Sequence, residues 1–371
     1  MKIVQVMESS ATGTLSMVCL IANRFAQEGH DVHVIYSIRE ETPPELGALF
    51  DKRVNLQHIQ MKDVPLLPAL GRLRAALKDI EPDVVHLHSS VAGFLGRIAV
   101  LFSLRRSTVL YSPHCISFMR KDISSLKRAV FVALEWMATV RKCLYVACSE
   151  SEGRAVRAYL RQPVVVVENA VGDMRPAEET PACTTASGSR CVVTVGGIRP
   201  QKNPQLFAQI ARGVRAAGVR FIWIGDGDPA LKDELTRAGV EVTGWLARDE
   251  VSRRLAQAHV YLSTSSWEGM PVSVIEAMLA DLPVVVSACA GNVDIVRNAQ
   301  TGSLFTTSGE AIDAINSLLA DNGLRAAFAS EARREAQERF CEARFFEQLT
   351  PFYQQNAADL RGAISAHRAP N

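Results

Sequence analysis

Two cations and two carboxylates in the second half of the chain are placed where they could act on one ligand. Arg199 and Lys202 follow the apolar run Cys191–Val195 and the pair Gly196-Gly197, and precede Asn203-Pro204. Asn203 reads as a helix N-cap and Pro204 as the first helical residue. A strand, a glycine turn and a helix start present backbone N–H groups to a phosphate. An arginine adds a bidentate fork and a lysine a point charge. A pair of solvated surface cations is the plainer reading. Glu268 lies in a Gly/Pro-interrupted loop after Val260–Leu262, and Glu276 lies in the opening turn of the helix that follows. Carboxylates at such a place accept hydrogen bonds from hydroxyl groups, and phosphate donors beside hydroxyl acceptors suggest a nucleotide sugar. Ser273-x-x-Glu276 also fits a capping box, which needs no ligand.

Glu268-x7-Glu276, preceded by Gly197-Ile198-Arg199-Pro200-Gln201-Lys202, resembles the retaining GT-B glycosyltransferases of family 4. The resemblance runs over nearly the whole chain and is strongest across residues 190–305. It implies an α/β GT-B fold of two doubly wound, Rossmann-like parallel-sheet domains facing a cleft. It implies that Arg199 and Lys202 neutralise the departing diphosphate, Glu276 binds the ribose, and Glu268 binds the donor sugar. Gly197, Gly269 and the backbone of Met270, Pro271, Val272 and Ser273 would meet the diphosphate or sugar, with Gly225 near the nucleotide. The donor it implies is a nucleoside diphosphate sugar, UDP-linked ahead of GDP-mannose. The acceptor suggested by the resemblance is a glycan or lipid-linked glycan of surface polysaccharide, such as lipopolysaccharide. No metal or other cofactor is expected. A nucleotide-sugar epimerase on the same fold and a non-catalytic partner subunit are the alternatives.

In the first half, His114 follows the run Thr108–Ser112, and strand C-terminal ends line the ligand crevice of open α/β sheets. The resemblance makes His114 a sugar contact. His86 and His88 end another strand on one face. With His114 they invite a zinc reading, but a strand-borne His-x-His is not by itself a ligand set. His88 is read as an acceptor contact and His86 as a buried, hydrogen-bonded ring. Gly13 sits between the first strand and its helix, where a phosphate-approaching loop belongs. It lies in Thr12-Gly13, where the resembled family commonly has two glycines. Asp226-Gly227-Asp228 mimics a metal-binding Asp-x-Asp but follows a strand, and reads as turn chemistry. Asn169-Ala170-Val171 replaces the family's Asn-Gly-Val, and alanine tolerates positive φ less well than glycine.

The elements that must position these residues are legible as short apolar runs alternating with helical patterns, the signature of parallel sheets wrapped by helices. Residues 1–175 read as an acceptor-binding domain, completed by a C-terminal helix over 351–367. Residues 176–189 read as a linker and 190–350 as the nucleotide-sugar domain. A formal charge of +2 gives no case for a nucleic-acid partner. Eight scattered cysteines, without Cys-x-x-Cys, suit a reducing cytoplasm. The opening Met-Lys-Ile-Val-Gln-Val-Met reads as a buried strand rather than a signal peptide. Segments 123–142 and 62–74 combine apolar and basic residues and are candidates for peripheral contact with the inner face of a membrane.

Overall fold

The structure is a computed structural model that describes residues 1–101, 106–172 and 190–355. The chain divides into two compact units, Met1–Asn169 with Phe345–Asn371, and Ala170–Arg344. The linker expected over 176–189 and most of the helix expected over 351–367 lie outside the described residues. Residues 345–350, assigned from sequence to the second domain, lie in the first unit.

The first unit runs β1 (Lys2–Met7), α1 (Thr12–Gln27), β2 (Asp31–Tyr36), β3 (Asn55–His58), α2 (Leu66–Ile80), β4 (Val84–His88), α3 (Ser90–Ala99), β5 (Thr108–Ser112), α4 (Ser125–Ala138), β6 (Leu144–Ala147), α5 (Glu150–Leu160) and β7 (Val164–Val166). Its seven strands pair in the order β3-β2-β1-β4-β5-β6-β7, all parallel. The strand order reverses between β1 and β4, so the loops beyond their C-terminal ends splay apart and leave room for a ligand. The second unit continues with β8 (Arg190–Val195), α6 (Pro204–Gly213), β9 (Val219–Ile224), α7 (Pro229–Arg237), β10 (Glu241–Val242), α8 (Arg248–Ala256), β11 (Val260–Ser263), α9 (Val272–Leu279), β12 (Val284–Ser287), α10 (Asn292–Ile295), β13 (Ser303–Phe305), α11 (Ser308–Ala320) and α12 (Asn322–Arg339). Its parallel sheet has the order β10-β9-β8-β11-β12-β13, with the reversal between β8 and β11. The last helix, α13 (Glu342–Gln354), buries Phe345, Phe346, Leu349 and Tyr353. Phe346 and Tyr353 pack on Phe25 of α1, with ring centroids 6.0 and 4.5 Å apart.

The central strands are continuous apolar runs because helices cover both faces. β3, of sequence Asn-Leu-Gln-His, has no such run. It is an edge strand, mostly exposed, and sequence patterning misses it. The helix α2 is likewise hidden from the sequence by Pro65 and Pro68. Pro65 stands at its N-cap and Pro68 lies in its first turn, where a missing N–H costs nothing. No helix among the described residues is long and apolar enough to cross a membrane.

A buried polar network joins α3 to α4. Arg97 donates to Glu135 at 2.6 Å, to Tyr145 Oη at 2.7 Å and to the Gly93 carbonyl at 2.7 Å. Tyr111 Oη donates to the other Glu135 oxygen at 2.9 Å, and Arg97 lies over the Tyr111 ring. Each nitrogen of the guanidinium thus meets a partner, which makes burial of this ion pair tolerable. The network also explains Gly93: an added Cβ would lie 2.2 Å from the Tyr111 ring, whose hydroxyl is pinned by Glu135. Gly71, on the exposed face of α2, has nothing near its missing Cβ. The two glycines should therefore respond oppositely to alanine in urea melts. Gly93→Ala should lose roughly 1–3 kcal/mol through overpacking, and Gly71→Ala should gain about 0.5–1 kcal/mol through helix propensity.

Candidate active site

In the second unit the candidate residues come from the ends of the two strands at the topological switch, β8 and β11. After β8 the chain turns at Gly196 and Gly197 and reaches Arg199. A single turn, Pro200–Lys202, then hands over to α6. Asn203 caps α6, accepting from Leu206 N at 3.2 Å, and Pro204 is its first residue, as the sequence predicts. The loop after β11 is stitched to this turn. Thr264 Oγ1 donates to the Lys202 carbonyl at 2.7 Å, and Ser266 N to the Gln201 carbonyl at 2.8 Å.

These stitches set Lys202 against Glu268. The ammonium lies 2.7 Å from Oε1 of a carboxylate that is 7 % exposed. Ser265 Oγ donates to the same oxygen at 2.7 Å and Gln201 Nε2 to Oε2 at 3.0 Å. Burial pulls the Lys202 ammonium down, but Glu268 beside it more than offsets this and holds it above the ordinary lysine range. Arg199 is near enough to repel Lys202, and its partly buried guanidinium forms no hydrogen bond or ion pair among the described residues. The structure therefore joins one expected cation to one expected anion and leaves the other cation open.

Glu276 is the fifth residue of α9 and stands apart from that pair. The capping-box alternative does not hold: the N-cap is Pro271, which has no side-chain acceptor, and Ser273 is inside the helix, hydrogen-bonded to Tyr261 Oη at 2.9 Å. The start of α9 is thus left without a side-chain cap, open to an outside anion. The Glu276 carboxyl makes no hydrogen bond or ion pair among the described residues. Burial pushes its carboxyl up to about 7, against a smaller pull from Arg248.

The glycines have distinct physical reasons. Gly225 has φ +141, and a Cβ on it would lie 2.2 Å from the Gly196 carbonyl, so the loops after β8 and β9 touch backbone to backbone. Gly197 lies under the Arg199 guanidinium. Gly269, Met270 and Pro271 are buried, and Val272 and Ser273 partly so. Gly291, unremarked in the sequence, holds the Glu268 loop: its φ is +86 and its missing Cβ would strike Glu268 Cβ at 2.6 Å. Gln201 and Ser265, which hold the Glu268 carboxylate, carry no signal of that role in the sequence beyond lying within three residues of Lys202 and Glu268. Asp226 pairs with Lys232 at 3.0 Å, and Asp228 caps α7 through Ala230 N and Leu231 N. Both aspartates thus have structural occupations.

In the first unit the histidines also gather at the switch point, here between β1 and β4. His88 is fully buried, with Nε2 2.7 Å from Gln5 Oε1 and Nδ1 2.9 Å from His114 Nε2. The expectation that His88 meets an acceptor is corrected, because both of its nitrogens are engaged inside the unit. His86 is buried between Tyr353 Oη and Ser112 Oγ, as expected. His114 is partly exposed and takes φ +52, with Cys115 at +87. Consecutive non-glycine residues in the left-handed region are strained and need support. Glu152, fully buried on α5, supplies it: Oε1 accepts from Cys115 N at 2.7 Å and Ile116 N at 2.9 Å, and Oε2 from Cys148 N at 3.0 Å. Burial raises the Glu152 carboxyl, with these N–H groups opposing. Gly13 is not the left-handed residue of its loop; Thr12 is, with φ +53. Ala170 does not enter the left-handed region, so alanine there carries no strain.

Comparison with known proteins follows this division. Residues 12–173 match the model described as Glycosyltransferase Family 4, and residues 189–321 that described as Glycosyl transferases group 1. An Escherichia coli protein named UDP-Gal:alpha-D-GlcNAc-diphosphoundecaprenol alpha-1,3-galactosyltransferase is 27% identical over 275 residues, 66% of this chain and 67% of that one. The fold is shared with HepE of Anabaena, solved with UDP and glucose, at TM-score 0.78 and 18% identity over 95% of this chain and 98% of that one. It is shared too with WaaG, a glycosyltransferase involved in lipopolysaccharide biosynthesis, at TM-score 0.74 and 16% identity over 95% and 100% of the two chains.

The raised carboxyl of Glu276 has a thermodynamic consequence. Its folded value, about 7, lies above the ordinary 4.5, so the folded state favours the protonated form. That contribution is present at low pH and is lost as pH rises through 7. Glu276→Gln should therefore gain on the wild type between pH 5 and pH 8, by on the order of 2 kcal/mol. Thermal melts at the two pH values would show the gap widening; a constant gap would contradict the assignment.

Proposed function

As a member of the GT4-type glycosyltransferases with GT-B architecture, matched by two family models that together span most of its length, the chain is a transferase, and we propose that it moves a hexosyl group, with retention, from a UDP-sugar to a hydroxyl of a glycan or lipid-linked glycan in surface polysaccharide biosynthesis. The observation that carries the reading is the cluster after β8 and β11. There an arginine unpaired among the described residues, a partly buried lysine and a buried carboxylate stand before the uncapped N-terminus of α9. The UDP complexes among its structural neighbours and the polyprenol-linked acceptor named for the Escherichia coli relative support the donor and acceptor classes.

In this reading Arg199 and Lys202 bind the diphosphate and stabilise the charge that develops on it as it leaves. That assistance is usually the largest catalytic term, and it asks for no divalent ion. The α9 N-terminus adds N–H donors at Val272 and Ser273, with Gly197 and Gly225 keeping the approach open. Glu276 accepts from the ribose hydroxyls, and Glu268 from the donor sugar through Oε2. The ion pair between Lys202 and Glu268 holds both in place before the donor arrives. His114 contributes a hydrogen bond to a sugar hydroxyl, and Gly13 keeps the loop after β1 close to the ligand.

The lipid-linked acceptor draws support from α4. Its acidic residue, Glu135, points inward to Arg97, and beyond the first turn, which carries Lys127 and Arg128, its outer face is apolar. Leu126, Val130, Trp136 and Met137 are exposed, Leu126 by 77% and Trp136 by 63%. An apolar groove runs along it to Tyr159 of α5. Lys121, Lys127 and Arg128 stand at one end of this face and Arg141 and Lys142 at the other. On α2, Leu66 and Leu67 are exposed above Arg72 and Arg74. An apolar strip ringed by cations suits an anionic bilayer surface.

Two outcomes test these readings. Arg199→Ala should lower kcat for transfer from a UDP-sugar by roughly two to three orders of magnitude with an unchanged melting temperature, because the side chain pairs with none of the described residues. Lys202→Ala should lose turnover and also stability, since it strands the buried Glu268. Turnover near wild type in Arg199→Ala would remove the diphosphate assignment. Secondly, the protein should sediment with phosphatidylglycerol vesicles and not with phosphatidylcholine vesicles. Leu126→Glu with Trp136→Glu should abolish that binding while leaving the circular dichroism unchanged.

A further inference from the structure

Six side chains of the first unit form one continuous hydrogen-bonded chain, and its polarity decides what His114 offers to a ligand. From His114 Nε2 the chain passes to His88 Nδ1 at 2.9 Å, and from His88 Nε2 to Gln5 Oε1 at 2.7 Å. Gln5 Nε2 donates to Tyr353 Oη at 3.1 Å, Tyr353 Oη lies 2.6 Å from His86 Nδ1, and His86 Nε2 lies 2.9 Å from Ser112 Oγ. Gln5 and His86 are register partners on β1 and β4, and Tyr353 comes from α13. Burial holds His86 down to about 3, His88 well below the usual range and His114 down to about 4, so all three rings are neutral at pH 7.

A neutral imidazole has one donor and one acceptor, so a closed run of such groups has only two consistent orderings, and the Gln5 amide selects between them. With its carbonyl toward His88, Gln5 takes the proton of Nε2–H and leaves His88 Nδ1 an acceptor. His114 must then donate from Nε2, and its Nδ1 is a lone pair without a partner among the described residues. At the other end Tyr353, having accepted from Gln5, gives its own proton to His86 Nδ1, and His86 Nε2–H donates to Ser112. Turning the amide over reverses every bond and makes His114 Nδ1 a donor. Tyr353 thus couples the amide to His86 and Ser112, although it is remote in sequence from every residue it serves.

We propose that Gln5 and Tyr353 are positioning residues that hold His114 in the Nε2–H tautomer, so that its Nδ1 accepts a hydrogen bond from a hydroxyl of the ligand. The left-handed backbone at His114 and Cys115, braced by Glu152, supports this reading: strain is spent on aiming a ring whose protonation pattern the chain has already set. The proposal rests on His114 as the sugar-facing group, but its first readout needs no transfer activity.

The test is long-range proton–nitrogen NMR on the full chain labelled with nitrogen-15 histidine, with His114→Asn used to assign the signal. Wild type should show His114 as a single Nε2–H tautomer. Gln5→Leu cuts the chain and should give a mixture of tautomers. Gln5→Glu, whose carboxylate can only accept from His88, should restore the single form. If Gln5→Leu does not fold, Tyr353→Phe decides: loss of the single tautomer supports the proposal and its retention overturns it. A wild-type Nδ1–H form, or an unmoved tautomer in folded Gln5→Leu, also overturns it. In kinetics, Gln5→Leu should raise the donor KM about tenfold with a smaller change in kcat. A shifted tautomer with an unmoved KM would leave the relay standing and remove His114 from the ligand site.

Discussion

A partly buried ammonium and a buried carboxylate 2.7 Å apart, Lys202 and Glu268, set the terms for the second unit. The carboxylate is not tolerable there alone, because an unpaired buried charge is costly. Their pairing fixes two loops from neighbouring strands with respect to each other, and Thr264, Ser266, Gln201 and Ser265 tie the same loops by hydrogen bonds. The close approach of Gly225 to Gly196 and of Gly291 to Glu268 completes the frame. The result is a set of charges held in fixed positions by the fold itself.

The first unit solves a related problem without charge. Its switch point is filled by neutral polar groups, each satisfied by the next, and one of them, Tyr353, is delivered by the last helix. That helix also packs Phe346 and Tyr353 on Phe25 of α1, so one element closes the hydrophobic core and completes the polar chain. Glu152 does comparable work for the loop that carries His114, accepting three backbone N–H groups from two loops. Buried polar networks specify geometry when every member is satisfied, and both networks meet that condition along their length.

The outer surface follows from the inner one. Glu135 turns inward because Arg97, Tyr111 and Tyr145 need an acceptor there. With the helix's acidic residue on the inside, the solvent side of α4 beyond Lys127 and Arg128 is left largely to Val130, Trp136 and Met137, with Leu126 exposed in the first turn. An apolar exposed face of this length is unusual for a helix that only covers a sheet, and the cations around it limit which surfaces it suits.

Much of this was legible in the sequence. The central strands announced themselves as apolar runs, because burial on both faces leaves no polar alternation. Asn203 and Pro204 marked a helix start through local stereochemistry alone. The spacing of Arg199, Lys202, Glu268 and Glu276 picked out the loops at the second unit's switch point. Other features required the tertiary structure. The edge strand β3 lacks a hydrophobic signal, and α2 is masked by prolines that its first turn tolerates. The sequence made His88 a ligand contact; packing buried it between Gln5 and His114. It made Ser273 a cap; the cap position fell two residues earlier, and the hydroxyl turned to Tyr261. Gln5, Glu152, Gly291 and Tyr353 carry no motif, since their roles depend on partners up to 348 residues away. Local chemistry and periodicity are written along the chain. Which buried polar group meets which is decided only when distant strands are brought into register.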